Sequence, residues 1–138
     1  TAAIRGGDED AERRGVLALL GLGPGLTPAG DDFLAGLALV AALPGSAPTG
    51  FVPVLRAVLA DFPARTTDLS LATLAEATEG RARGELIDVL RQLAHSRPSW
   101  ELHAPVRKAL AVGHTSGSDT LSGIVAGLHL EEELRGSL

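Results

Sequence analysis

The feature that most restricts the fold of this chain is a seven-residue pattern, G-x-D-x-L-x-G, that occurs twice. It reads "GDDFLAG" from residue 30 and "GSDTLSG" from residue 117. In each copy a glycine follows the acid by four residues, Gly36 after Asp32 and Gly123 after Asp119, and residues four apart share a helix face. Glycine inside a helix costs about 1 kcal/mol relative to alanine. We therefore expect these two helices to lie against each other or to flank one cavity, with both glycines facing inward; a duplicated packing motif without chemistry is the alternative.

The rest of the chain also has the 3.6-residue period of helices. One apolar stripe consists of Leu86, Ile87, Leu90, Leu93 and Ala94,. Strand signals are weak, because β-branched and aromatic residues are scarce and no alternating run lies between hairpin turns. The sequence therefore predicts an all-α fold, a single compact multi-helix domain over residues 1–138. The seven expected helices lie near residues 8–20, 28–43, 51–62, 67–79, 82–95, 99–111 and 116–134.

Composition excludes several classes of function. The 138 residues carry a formal net charge of −5 and contain no cysteine. Phosphate backbones need a cationic surface, so the charge argues against nucleic acid as the main partner. Without cysteine there are no disulfides or thiolate metal sites, which is compatible with a reducing cytoplasm. Each apolar run is interrupted before the roughly 20 residues of a membrane span. We therefore expect a cytoplasmic protein that binds neither nucleic acid nor a membrane.

A glycine-rich loop precedes the first copy of the pattern. Gly21, Gly23 and Gly25 permit backbone angles or close approaches that a β-carbon would forbid,. Thr27 followed by Pro28 is typical of an N-cap and a first helical position. The loop would then end at the positive end of a helix dipole with free backbone N–H groups, which favours an anion. The simpler alternative is the end of one helix, a turn and the start of the next.

Two adjacent acids follow this loop. Asp31 and Asp32 point about 100° apart on a helix, so at least one should face the loop or a neighbouring element,. Carboxylates beside an anion-binding loop would repel the anion unless a hard cation bridges them or the acids bind N–H groups of the ligand. The sequence leaves both solutions open.

Two further segments carry polar candidates. In "GHTSGSD", His114 could act as an acid or a base near neutral pH,, and Thr115 stands where an N-cap is expected. In "ARTTDLSLATLAEATEG", small hydroxyl residues follow Arg65 and could line a polar pocket. Arg65 would suit a carboxylate or a phosphate.

Three segments together resemble a known bacterial family. They are "GLGPGLTPAGDDFLAG", the pattern T-x-x-S-x-x-x-L-x-x-A-x-x-G from Thr67 to Gly80, and "GHTSGSDTLSG". They occur in the same order through nearly the whole chain, and the first is the most distinctive. The family, long described as a domain of unknown function, includes the AllH-type subunit of oxamate carbamoyltransferase. The resemblance implies the C-terminal part of such a protein, which fits a chain that begins at Thr1 without any methionine.

The resemblance also implies membership of a multi-subunit enzyme of allantoin and purine-nitrogen catabolism. That enzyme interconverts oxalurate and phosphate with oxamate and carbamoyl phosphate. The implied partners are a small anionic metabolite and the other carbamoyltransferase subunits, and the chain is not expected to be active alone. Ala29 is a departure, because the family usually has serine there. Either that hydroxyl is dispensable or this chain handles a different ligand.

The expected roles of single residues come from their chemistry and not from a family assignment. Asp32, His114 and Asp119 are the candidate catalytic residues, and Asp31, Asp32 and Asp119 are the candidate ligands of a magnesium ion. The candidate ligand-binding residues are matched positions in the three segments: Gly21, Gly23, Gly25, Thr27, Gly30, Asp31, Thr67, Ser70, Thr115, Ser116 and Gly117.

Two other functions stay open. One is a magnesium-dependent hydrolase of the ADP-ribosylglycohydrolase kind, also helical and rich in paired acids, in which aspartates hold two metals. It requires more acids at the site than Asp31, Asp32 and Asp119 supply. The other is a non-catalytic helical subunit whose glycines serve assembly.

Overall fold

A computed structural model describes residues 8–94 and 116–136 of the chain. Over these two ranges it contains α-helices and short 3₁₀ turns and no strand, so the predicted all-α class is confirmed. The helices are α1 (Glu9–Leu19), α2 (Ala29–Ala41), α3 (Phe51–Asp61), α4 (Asp68–Thr78), α5 (Gly84–Ala94) and α6 (Ser116–Gly136). Six predicted helices are found within two residues of their expected ends, and the one predicted at 99–111 lies outside the described residues.

Helix α2 is the centre of the fold. Every residue from 30 to 41 is buried except Phe33, which is partly buried. A helix that is apolar around its whole circumference must be covered on all sides, and here α6 and α4 cover most of it while α1 and α3 complete the shell. The apolar core therefore surrounds α2, and whatever lies at its ends is held by the whole domain.

The two copies of the glycine pattern lie on α2 and α6 and pack against each other. A β-carbon on Gly36 would overlap the carbonyl oxygen of Thr120 and stand 2.7 Å from the amide nitrogen of Ile124. A β-carbon on Gly123 would overlap the carbonyl oxygen of Phe33 in the same way. Neither position has room for any side chain, so the prediction that both glycines face inward is confirmed.

The order of these contacts also gives the direction of the two helices. Gly123 lies against residues 33 and 37 of α2, and Gly127, one turn later on α6, lies against Val40. Residue numbers rise together along the contact, so α2 and α6 run parallel. Their amino-terminal ends, from which the positive ends of both helix dipoles project, are therefore at the same end of the domain.

Side-chain hydrogen bonds fix the surrounding segments. Asp8 caps α1 by accepting a hydrogen bond from the amide of Ala11 at 3.1 Å. Glu131 of α6 accepts one from the amide of Ala47 at 2.7 Å and so holds the short turn before α3.

Across residues 8–94 and 116–136, no helix is both long enough and apolar enough to cross a membrane.

We expect Gly123→Ala to destabilise the domain by about 1–3 kcal/mol, because the new methyl group would push α2 and α6 apart. Gly15→Ala is the matched control, since Gly15 lies within α1 and a β-carbon there meets nothing within 4 Å. That control should be neutral or stabilising by up to about 1 kcal/mol. Urea unfolding of both variants measures the difference; equal effects would mean that the helices can separate without cost.

A second prediction concerns pH. Burial raises the pKa of Glu12 above its ordinary value of 4.5, and the negative charges of Glu9 and Asp8 raise it further. The folded state therefore holds this proton more tightly than the unfolded state, and the free energy of unfolding falls as pH rises from 4.5 through the folded pKa,.

Glu12→Gln should consequently stabilise the domain at pH 7, and the gain should shrink toward zero below pH 4.5,. Urea unfolding between these pH values tests this, with Glu132→Gln, an exposed position on α6, as the baseline. A gain that is independent of pH would show that ionisation of Glu12 is not the cause.

Candidate functional site

The glycine-rich loop folds back on the protein through positive backbone angles. Gly21, Gly23 and Gly25 have φ values of 78°, 117° and 91°, a region that favours glycine,. At Gly21 a β-carbon would also overlap the carbonyl oxygen of Arg65. The expectation of unusual angles and close approach is therefore confirmed, and the loop lies directly against the turn that precedes α4.

Asp31 holds this loop in place. Its side chain is 2% exposed, and one carboxylate oxygen accepts a hydrogen bond from the amide of Gly21 at 2.7 Å. The other oxygen accepts a hydrogen bond from the hydroxyl of Thr66. A buried carboxylate is stable only when donors satisfy it, and here both donors belong to the protein. Asp31 therefore ties the loop to the segment before α4.

Thr67 and Ser70 hold the other end of the loop. Thr67 caps α4 by accepting a hydrogen bond from the amide of Ser70 at 3.1 Å. Its hydroxyl donates to the carbonyl oxygen of Leu26, and the hydroxyl of Ser70 lies 3.4 Å from the same oxygen. Both were candidate ligand-binding residues; in the structure their hydroxyl groups contact the loop backbone.

The start of α2 differs from the prediction. Thr27 was expected as N-cap and Pro28 as the first helical residue, but Pro28 is at the N-cap and no side chain caps the helix. The amides of Asp31 and Asp32 donate to the carbonyl oxygen of Pro28 at 3.0 and 3.1 Å. The prediction was wrong by one residue because the extended conformation of Pro28, with ψ at 147°, delays the first helical turn.

Some of the backbone amides that were expected to bind an anion donate hydrogen bonds within the protein instead. The amide of Gly30 donates to the carbonyl oxygen of Leu22 at 3.0 Å, and that of Gly21 is bound to Asp31. The amides of Gly23 and Gly25 donate to no described residue and belong to exposed residues. The donors that remain accessible to a ligand are therefore at the tip of the loop.

The aspartate at the third position of each pattern lies at the shared end of the two parallel helices. Asp32 is 3% exposed in the first turn of α2, and Asp119 lies in the first turn of α6. Oxygen Oδ2 of Asp119 is buried and receives no hydrogen bond from the described part of the chain. These two carboxylates therefore lie where both helix dipoles are most positive.

Of the remaining candidate site residues, some lie within the described ranges and others do not. Gly117 is buried in the first turn of α6, and Ser116 begins that helix. His114 and Thr115 lie outside the described residues, so their roles stay predictions. Within the described ranges no three acids or histidines form a group that could hold a metal ion, and Asp31 uses both oxygens on protein donors.

Sequence reasoning did not assign the part played by Thr66. It is one of the small hydroxyl residues that follow Arg65, and its backbone is extended just before the N-cap of α4. It contacts Asp31 across 35 positions of sequence. Nothing local distinguishes it from Thr67, and only the packing of the loop against α4 identifies the donor.

We expect Thr66→Val to destabilise the domain by about 1–3 kcal/mol, because a buried charged oxygen of Asp31 would lose its donor. The amide of Gly21 should also exchange with deuterium faster than in the wild type. Thr66→Ser keeps a hydroxyl and should restore both properties. Thr73→Val is the control, since this exposed hydroxyl bonds only the carbonyl oxygen of Leu69 in its own helix. If Thr66→Val changes neither the free energy of unfolding nor the exchange rate of the Gly21 amide, Thr66 does not hold Asp31 as described.

The chain matches the model of a known protein family. No solved structure resembles the chain significantly. A family model described as oxamate carbamoyltransferase subunit AllH matches residues 19–128, which include the glycine loop, α2 to α5 and the first part of α6. The match covers both copies of the repeated pattern and the segment from Thr67 to Gly80. The chain therefore belongs to the family of the AllH subunit of oxamate carbamoyltransferase.

Proposed function

We propose that the chain works as a subunit of an oxamate carbamoyltransferase and binds a small anionic metabolite that carries an amide. The single observation that carries this proposal is the parallel contact of α2 and α6. It brings two helix starts, each with an aspartate in its first turn, to one end of the domain beside the glycine loop. Family membership supports the enzyme class.

The anionic end of the metabolite is assigned to the tip of the loop. The amides of Gly23 and Gly25 are accessible and bind no described residue. They lie beside the positive end of the α2 dipole, and backbone N–H groups at such a position bind carboxylates and phosphates. Asp31 does not oppose the anion strongly, because its charge is satisfied by Gly21 and Thr66.

The amide end is assigned to Asp32 and Asp119. A buried carboxylate oxygen that receives no described donor, such as Oδ2 of Asp119, is an acceptor for an N–H group,. Amide N–H groups of a carbamoyl compound supply such donors, so the ligand presents acceptors to the loop and donors to the acids. Magnesium would be the other way to satisfy the same oxygens, and the experiment below separates the two.

The chemistry requires movement of one proton. When carbamoyl phosphate forms, an oxygen of hydrogen phosphate attacks the carbamoyl carbon of oxalurate, the bond from that carbon to nitrogen breaks, and the nitrogen of oxamate takes up the proton that the phosphate loses. We assign the transfer of this proton to His114, because an imidazole accepts and donates a proton near neutral pH. His114 stands two residues before α6 in the sequence. Thr115 would close the site from the same side.

The two alternative functions require different features of the structure. The hydrolase of the ADP-ribosylglycohydrolase kind needs a cluster of metal-binding acids, and none is found among residues 8–94 and 116–136. A non-catalytic assembly subunit needs only the glycine contact between α2 and α6. The second alternative predicts that the aspartates contribute to stability and not to ligand binding.

We expect Asp32→Asn and Asp119→Asn, each in the chain assembled with the other subunits, to lower kcat/KM for oxalurate by about 100-fold or more. Helical circular dichroism should be unchanged. Asp88→Asn, an exposed position on α5, is the matched control.

Calorimetric titration with carbamoyl phosphate and, separately, with magnesium chloride identifies what the acids bind. If the aspartate variants lose the heat of binding only for carbamoyl phosphate, the acids bind the amide end of the metabolite. If the variants lose the heat of binding for magnesium, the acids bind a metal ion. If a variant that carries both Asp32→Asn and Asp119→Asn still turns over oxalurate normally in the assembled enzyme, the acids are structural and the proposed site is wrong.

A further inference from the structure

The tip of the glycine loop, residues 23–27, is attached to the rest of the domain at one polar point. At the beginning of the loop, the amide of Gly21 donates to Asp31. From residue 23 to residue 27, the only hydrogen bonds within the described part of the chain are those that the carbonyl oxygen of Leu26 accepts. That oxygen is therefore the anchor of the loop tip.

The two amides assigned to the anion depend on this anchor to different degrees. A β-carbon on Gly23 would stand 3.0 Å from the amide nitrogen of Ala29, so the backbone there lies against the start of α2. A β-carbon on Gly25 would meet nothing within 4 Å, and glycine at a φ of 91° can adopt other angles at little cost,. Packing therefore holds Gly23, whereas Gly25 is held mainly through its neighbour Leu26.

The main donor to the anchor is Thr67. Its hydroxyl donates to the carbonyl oxygen of Leu26 and accepts a hydrogen bond from the amide of Ser70 at 3.1 Å, which caps α4. The hydroxyl of Ser70 lies 3.4 Å from the same carbonyl oxygen, which is long for a bond between two oxygens,. One oxygen atom of Thr67 thus joins the loop tip to the first turn of α4.

The hydroxyl proton of Thr67 is used within the protein. A hydroxyl group has a single proton to donate, and that of Thr67 is directed to Leu26. An anion needs donors, so Thr67 cannot donate to the metabolite while it holds the loop. Contact with the loop therefore explains this residue better than direct contact with the ligand.

We propose that Thr67 is a positioning residue of the anion site, whose hydroxyl keeps the Gly25 amide in the orientation that binds the anionic end of the metabolite. This role rests on the proposed function, which assigns the amides of Gly23 and Gly25 to that end. The affinity of the loop for an anion is then set from α4 by a group that does not touch the ligand. Donors that are ordered before binding lose less conformational entropy when the ligand arrives.

Two substitutions separate the contact with the loop from the cap of α4. Thr67→Ser keeps a hydroxyl and so keeps both contacts. Thr67→Gly removes the donor to Leu26, but glycine at an N-cap costs a helix little. Ala72→Gly is the matched control, because glycine at this exposed position inside α4 weakens the helix and leaves the anchor intact,.

The test measures calorimetrically how the full-length chain, assembled with the other subunits, binds carbamoyl phosphate. Thr67→Gly should raise the dissociation constant by about tenfold or more, because the loop tip must be ordered on binding. The KM for carbamoyl phosphate should rise in the same proportion, with kcat changed by less than about twofold. Thr67→Ser and Ala72→Gly should bind as the wild type does.

A second measurement follows the loop without a ligand. In the full-length chain, the amide order parameter of Gly25 from ¹⁵N relaxation should fall from about 0.85 to below about 0.6 in Thr67→Gly. The order parameter of Gly21 should not change, because Asp31 still holds that amide.

Each outcome decides a different point. Wild-type affinity of Thr67→Gly, an equal loss of affinity in Ala72→Gly, or an unchanged order parameter of Gly25 overturns the positioning role and leaves the proposed function standing. If Thr67→Ser binds as weakly as Thr67→Gly, the hydroxyl is not the cause, and the role is also overturned. If the assembled wild type does not bind carbamoyl phosphate, the proposed function fails and the positioning role fails with it.

Discussion

The contact between the backbones of α2 and α6 is the constraint on which the other features depend. Gly36 and Gly123 each lie against a carbonyl oxygen of the opposite helix, so the two helices approach as closely as their main chains permit. Because they run parallel, this contact brings both positive dipole ends together. Aspartates in the first turns, of which Asp31 and Asp32 on α2 are buried, compensate that charge, and the glycine loop closes over the same end. Packing thus creates the electrostatic conditions for the proposed site.

The neighbouring acids Asp31 and Asp32 show how one turn of helix can serve two purposes. Asp31 points to the loop and is satisfied by Gly21 and Thr66, which makes it a support for the backbone. Asp32 occupies the same position in its pattern as Asp119 does on α6, and Oδ2 of Asp119, a buried oxygen that receives no described donor, is the acceptor proposed for the ligand. The 100° between successive residues separates Asp31, which supports the loop, from Asp32, which is proposed to bind the ligand.

The glycine loop is held rigidly by side chains from elsewhere in the domain. In the proposed function the amides of Gly23 and Gly25 bind the anionic end of the metabolite. Backbone amides present a fixed set of donors only if the loop is ordered, and the hydrogen bonds to Asp31, Thr67 and Ser70 hold it in place. A loop that is already ordered loses little conformational entropy when it binds a ligand.

The sequence by itself determined the helices of the described region, the loop with its positive angles and the inward position of Gly36 and Gly123. Periodicity, glycine and proline act locally, and a glycine inside a helix implies a close neighbour. Only the tertiary structure decided that α2 and α6 are parallel, that Pro28 and not Thr27 precedes α2, and that Thr66 binds Asp31. Such choices depend on contacts between residues far apart in sequence, where several hydroxyl groups and acids are locally equivalent. Packing of the loop against the start of α4 brings one donor and one acceptor within reach of each other.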